Sequence, residues 1–145
     1  ELLKSRAIFN FTTDFYYKNP TISSVNNFSF SSSSFKSFLN YIKISDTTFK
    51  TTQEHLFLDA FKSSSETEFI SDEYREIKKK LLKIKIDNIS KNQDFISDII
   101  KDNILIRYYY KEGAYQNKLK KDKVILEALK ILKNKNQYAK ILNEA

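Results

Sequence analysis

Glycine and proline are almost missing from this chain: Gly113 and Pro20 are the only examples in 145 residues. Sandwiches and barrels turn the chain every ten residues or so and draw on Gly and Pro to do it, so an all-β fold is excluded. Dinucleotide-binding and P-loop sites need several glycines at fixed offsets, which one glycine cannot provide. Helices joined by polar loops remain. Apolar residues at 41% and aromatics at 14% are enough for a packed core and exceed what a disordered chain carries. The expected fold class is all-α, an irregular helical domain of about six or seven helices with a helical hairpin in the second half. Residues 1–145 read as one domain with two sub-layers, 1–65 and 66–145.

In the first half, Leu2 to Lys18 is expected to be one helix with Leu3, Ile8, Phe11 and Phe15 as its apolar positions. Asn19-Pro20 ends it, because the residue before a proline avoids the α region. Thr12 and Thr13 weaken it through their β-branched side chains. Thr21 to Ser34 is a polar loop, pinned by Phe28 and Phe30. One serine of the run Ser31 to Ser34 caps the next helix, Phe35 to Ile44, whose face carries Phe35, Phe38, Leu39 and Ile42. After the loop Ser45 to Lys50, Thr51-Thr52-Gln53-Glu54 is a capping box ahead of Leu56, Phe57, Ala60 and Phe61. That helix ends in Ser63-Ser64-Ser65.

In the second half, Ile70, Tyr74, Ile77, Leu81 and Ile84 form a stripe spaced by four, three, four and three, with Lys78, Lys79, Lys80, Lys83 and Lys85 mostly on the other side. A stripe of this length suits one arm of a hairpin, turning near Asn88 to Asn92 into a helix from Gln93 to about Tyr115. There Phe95, Ile96, Ile99, Ile100, Ile106 and Tyr110 share one side at 100° per residue, and Ile104, Leu105, Tyr108 and Tyr109 extend the apolar surface. Arg107 falls on that side and needs a carboxylate or carbonyl partner, so a salt bridge at the core edge is expected. Gly113 closes this helix or marks a tight contact. Asp122 is an N-cap for a helix carrying Val124, Ile125, Ala128, Leu129, Ile131 and Leu132. Asn134 to Asn136 breaks it before a last helix with Tyr138, Ile141 and Leu142.

The residues offer little chemistry. There is no Cys, which removes disulfides, thiol catalysis and thiolate metal sites. His55 is the sole histidine and reads as a helix-borne surface or half-buried residue, so a Ser-His-Asp triad has one candidate and metal sites with two histidines have none. Glu66 and Glu68, and Asp72, Glu73 and Glu76, are grouped carboxylates. The last three fit the positive end of a helix starting near Ser71. A Ser-Lys dyad passes by counting alone, but no glycine flanks the serine runs to shape an oxyanion site. No catalytic, cofactor-binding or metal-ligating residue is assigned.

The net charge of +7 raises nucleic acid or an anionic surface as a partner. The excess is almost all lysine, with Arg6, Arg75 and Arg107 the only arginines, and a genome rich in A and T explains it without a partner. Tyr108, Tyr109 and Tyr110 would point about 100° apart on a helix and could not form one stacking platform, which argues against nucleic acid. No apolar run reaches the roughly 20 residues of a membrane span. With no signal peptide before Glu1 and no initiator Met, the chain is expected to be a piece of a longer protein.

The stretch Ile104-Leu105-Ile106-Arg107-Tyr108-Tyr109-Tyr110-Lys111-Glu112-Gly113, then Asp122, Ala128-Leu129-Lys130-Ile131-Leu132 and Tyr138-Ala139-Lys140-Ile141-Leu142, resembles the extreme C-terminal region of carboxyl-terminal processing (tail-specific) peptidases of the Bacteroidetes type. Looser likeness in Leu2-Leu3 to Phe15-Tyr16, Phe35-x-x-Phe38 and Thr47 to Thr52 extends over nearly the whole chain. The resemblance implies a parent serine endopeptidase of the cell envelope with a Ser-Lys dyad and a PDZ domain, none of whose motifs matches a residue here. It implies a non-catalytic helical appendage, without cofactor or metal, whose partners are the peptidase and PDZ domains of its own chain, or further copies in a homo-oligomer. Arg107, Tyr108, Tyr109, Tyr110, Gly113 and Asp122 are its expected structural residues. The alternative is a free-standing helical binding module for nucleic acid or an anionic surface.

Overall fold

The structure, a computed structural model, describes residues 1–44, 49–63 and 71–143. Among these residues there are seven α-helices, one 3-10 turn and no strand, so the fold is all-α. The loop residues Ser45 to Thr48, the serines Ser64 and Ser65, Glu66, Glu68 and the stripe position Ile70 lie outside the described residues. The chain divides into two compact units, one of residues 1–20 and 29–104, the other of residues 21–28 and 105–145.

Unit 1 begins with a 3-10 turn at Leu2–Lys4, then α1 at Ala7–Lys18. The single helix expected over Leu2 to Lys18 is therefore interrupted. Ser5 is extended; its hydroxyl donates to the Leu2 carbonyl at 2.7 Å and accepts from the Ala7 N–H at 3.2 Å, competing with the helical ladder. Thr12 does not disrupt α1 despite being fully buried, because its hydroxyl donates to the Ile8 carbonyl at 2.9 Å. The α1 terminus is as expected before Pro20: Asn19 is extended and its N–H closes on Phe15.

Ser31 caps α2 (Ser32–Ile44), its hydroxyl accepting from the Ser34 N–H at 3.2 Å. Phe35, Phe38 and Ile42 are the buried face. Phe11 of α1 is the hub of an aromatic cluster, meeting Phe38 at 5.1 Å, Tyr41 at 5.5 Å and Phe30 at 6.3 Å between ring centroids, all edge-on. That geometry suits the ring quadrupole and adds to the area buried. In the loop before α2, Phe30 joins this cluster in unit 1, while Val25, not singled out by the sequence, is the buried residue of the stretch in unit 2.

The capping box of α3 (Thr52–Ser63) forms in both directions: Thr51 Oγ1 accepts from the Glu54 N–H at 3.2 Å, and Glu54 Oε2 accepts from the Thr51 N–H at 2.7 Å. Leu56, expected on the apolar run, is exposed, and Glu54 is the buried residue of α3. The reason lies on α4 (Ser71–Lys91), which packs on α2 and α3. Lys85 was expected on the solvent side and is only 3% exposed. Its ammonium donates to Glu54 Oε1 at 2.8 Å, Glu54 Oε2 at 3.0 Å and the Phe49 carbonyl at 3.1 Å, satisfying all three of its hydrogens. Ile77 and Ile84, placed on the apolar stripe by their spacing, are instead exposed. The buried line of α4 runs through Lys85 and Ile89, and Tyr74 at the other end stacks on Phe57 and Phe61 of α3.

Helix α5 spans Gln93–Leu119, with Ile96 and Ile100 buried in unit 1. Phe95 and Ile106, expected inward, are exposed. In unit 2 follow α6 (Lys123–Lys133) and α7 (Lys135–Asn143), which pack on one another. Asn134 alone separates them, its side chain accepting from the Gln137 N–H at 3.2 Å as the α7 cap.

Removing one partner of the buried pair strands the other charge. Lys85→Ala should destabilise unit 1 by about 3–5 kcal/mol, whereas Lys85→Met combined with Glu54→Gln, which keeps the cap acceptor, should recover most of that loss. Urea unfolding followed by circular dichroism measures both.

Candidate functional site

Arg107, Tyr108, Tyr109, Tyr110 and Gly113 come together at a break in α5. Tyr109 (φ −127°, ψ 16°) and Tyr110 (φ 54°, ψ −159°) leave helical geometry, and Tyr110 is the one non-glycine residue with positive φ among the described residues. That region of backbone space is nearly reserved for glycine, so Tyr110 is strained. Its ring is 76% exposed, although a helix projected straight through the segment places it on the buried side. Gly113 explains how the chain tolerates the break. A Cβ there would lie 2.6 Å from Tyr109 Cβ and 3.2 Å from the Leu105 carbonyl oxygen. Only a residue without Cβ allows that approach, and α5 continues through Gly113 to Leu119 instead of ending there.

Tyr109 then serves as a latch. Its hydroxyl donates to the Ser23 carbonyl at 3.2 Å, with the Ile22 carbonyl at 3.4 Å, holding the 21–28 loop within unit 2. Arg107 and Tyr108 are half-buried, and desolvation lowers the Arg107 guanidinium from its ordinary value. Asp122 stands apart from this group and caps α6, accepting from the Val124 N–H at 2.9 Å and the Ile125 N–H at 3.2 Å.

A second feature, in unit 1, is not among those singled out from the sequence. A groove of about 590 Å³ opens between the N-terminal turn, the Phe49–Gln53 segment, α4 and the start of α5. Leu2, Leu3, Phe49, Leu81, Ile84 and Phe95 supply apolar walls, and Thr51, Gln53, Asn88 and Asn92 supply the polar groups. Its size and mixed lining are those of a binding cleft. Lys85 lies at its base, but its hydrogens are already committed to Glu54 and Phe49. At one edge the Glu1 carboxylate accepts from the Thr52 hydroxyl and, at 3.1 Å, from the Thr52 N–H, and these bonds hold it below the usual carboxylate range. The groove can therefore take up apolar side chains and hydrogen-bond a peptide. His55, on α3, is exposed.

The signal for this groove was present but quiet. Leu81, Lys85 and Ile89 are spaced by four, so a lysine sits on the line of an otherwise apolar face. Among the described residues, no three His, Cys, Asp or Glu side chains gather as a metal site, and no helix is long and apolar enough to cross a membrane.

Gly113→Ala should destabilise the chain by about 1–3 kcal/mol, since the added Cβ would meet Tyr109 Cβ and the Leu105 carbonyl, atoms fixed to the backbone and not the far end of a flexible side chain. Tyr109→Phe should cost about 1 kcal/mol and speed amide exchange selectively in residues 21–28. Thermal unfolding and hydrogen-exchange mass spectrometry check the two.

No curated protein matches the chain, and no solved structure does. A family model described as "Probable PDZ-protease, C-terminal helical domain" matches residues 1–132, in agreement with the all-α fold. The chain belongs to this family of PDZ-protease C-terminal helical domains.

Proposed function

We propose that this domain is a non-catalytic packing element that holds the PDZ and peptidase parts of its parent protease in position, using the groove of unit 1. The carrying observation is that the groove presents apolar side chains beside hydrogen-bonding ones, the kind of surface on which another domain docks. Its exposed apolar residues Leu3, Ile84 and Phe95 would be covered there. Burying them against a neighbouring domain is favourable by about 25 cal/mol per Å². In this reading the parent is a carboxyl-terminal processing serine peptidase of the Bacteroidetes type, acting in the cell envelope, with its Ser-Lys dyad outside this segment. Assembly of parent chains through the same groove would be an alternative use of the domain.

Ile84→Glu with Phe95→Glu separates the domain's own stability from its docking. Both side chains are exposed in this chain, so its helicity and unfolding midpoint should change little. In the full-length protease the double variant should raise amide exchange in α4 and speed limited proteolysis near Leu3 by about tenfold. Identical exchange of α4 in the wild-type parent and in the isolated chain would show that nothing covers the groove.

A further inference from the structure

The positive charge of this chain is not spread over it. Unit 2 holds ten Lys and Arg against four Asp and Glu, a net +6. Unit 1 holds fifteen against fourteen, a net +1, and the two account for the whole +7. Within unit 2 the concentration is tighter still. Residues 118–140 contain eight lysines, all exposed, against Asp122 and Glu127. Lys130 pairs with Glu127 at 2.9 Å.

The same segment leaves most of its aliphatic side chains in solvent, with Ile125 and Ile131 half-buried. Helix α6 has no buried residue, and Val124 is 78% and Leu132 58% exposed. On α7, Ile141 and Leu142 are exposed as well. At 100° per residue, Val124, Ile125, Ala128, Leu129, Ile131 and Leu132 share one side of α6, and Lys123, Lys130 and Lys133 share the other. An amphipathic helix with lysines opposite a broad aliphatic face, too short and too charged to span, is the form that lies in the headgroup layer of a bilayer.

We propose that α6 and α7 form a docking surface for an anionic lipid membrane, with the aliphatic face entering the headgroup region and the lysines meeting the lipid phosphates. Charge complementarity selects this occupant. A neutral protein partner would use the aliphatic face and leave the lysine concentration without a role. Nucleic acid would use the lysines but has no use for exposed Val, Ile and Leu, since bases stack on aromatic planes. Arg107, the one arginine of unit 2, is half-buried. An anionic bilayer uses both features, and each lysine near its surface adds to binding. This surface shares no residue with the groove of unit 1, so either reading can fail while the other holds.

The test is flotation of the full 145-residue chain with two vesicle types, phosphatidylcholine alone and phosphatidylcholine with phosphatidylglycerol. The chain should bind the phosphatidylglycerol vesicles and lose about tenfold or more of that affinity between low salt and roughly 0.5 M salt. The triple variant Lys123→Gln, Lys133→Gln, Lys135→Gln should lower it by about a hundredfold. Val124→Ser with Leu132→Ser should lower it by about tenfold. Circular dichroism reports whether each variant stays helical; for one that does not, the lipid and salt comparisons on the unaltered chain decide. Equal binding to both vesicle types, or helical variants that bind unchanged, would overturn the proposal. So would a single-stranded oligonucleotide that binds more tightly at the same salt and displaces the vesicles. A self-association that Val124→Ser and Leu132→Ser abolish, without any vesicle binding, would replace the membrane by a second copy.

Discussion

Unit 1 is organised around one buried ion pair. Glu54 has two tasks that meet in one carboxylate: it closes the N-terminus of α3 through the Thr51 N–H, and it neutralises Lys85 on α4. Lys85 in turn fixes the Phe49 carbonyl, and its ammonium lies 5.4 Å from the Phe49 ring centroid. A charged lysine at this depth is costly to desolvate, and only complete satisfaction of its three hydrogens keeps the cost bearable. The pair therefore fixes the register of α4 on α3, because a slide by one helical turn would leave both charges buried and alone. The groove follows from that register, since Lys85 forms its base and Phe49 one of its walls.

Unit 2 depends on a different constraint, a backbone one. The break at Tyr109 and Tyr110 redirects α5, and it persists because Gly113 admits Tyr109 Cβ at a distance no other residue could accept. The lone glycine of the sequence is spent at this point. The latch from Tyr109 to the Ser23 carbonyl uses the orientation that the break creates. The aromatic run thus contributes a backbone break and the Tyr109 latch, while Tyr110 is largely exposed.

What could be read from the sequence was whatever one helical turn contains. The Thr51–Glu54 box, the serine cap of α2, the Asp122 cap and the stop before Pro20 all involve partners within four residues, and each is where the residues imply. Features that depend on distant partners were hidden. Lys85 counts as a surface residue until Glu54, thirty-one positions away, is known to face it. Ser5 looked like helix interior because nothing in its neighbours reveals that its hydroxyl will capture the Leu2 carbonyl. The projection of α5 was sound up to Ile100 and failed at Tyr110, since a fixed 100° step has no way to represent a residue at positive φ. Resemblance carried family membership further than periodicity could, because it compares residue identities along the chain and not only the spacing of apolar positions.

The uneven distribution of lysine also bears on how the molecule behaves as an electrolyte. An isoelectric point near 9.4 describes the chain as a sum and neither of its units. Unit 1 is almost balanced, whereas unit 2 carries most of the excess positive charge at neutral pH. A chain with its charge so divided adsorbs to an anionic matrix through one unit in preference to the other. Its retention on an ion exchanger would then report the composition of residues 105–145 far more than that of the chain as a whole.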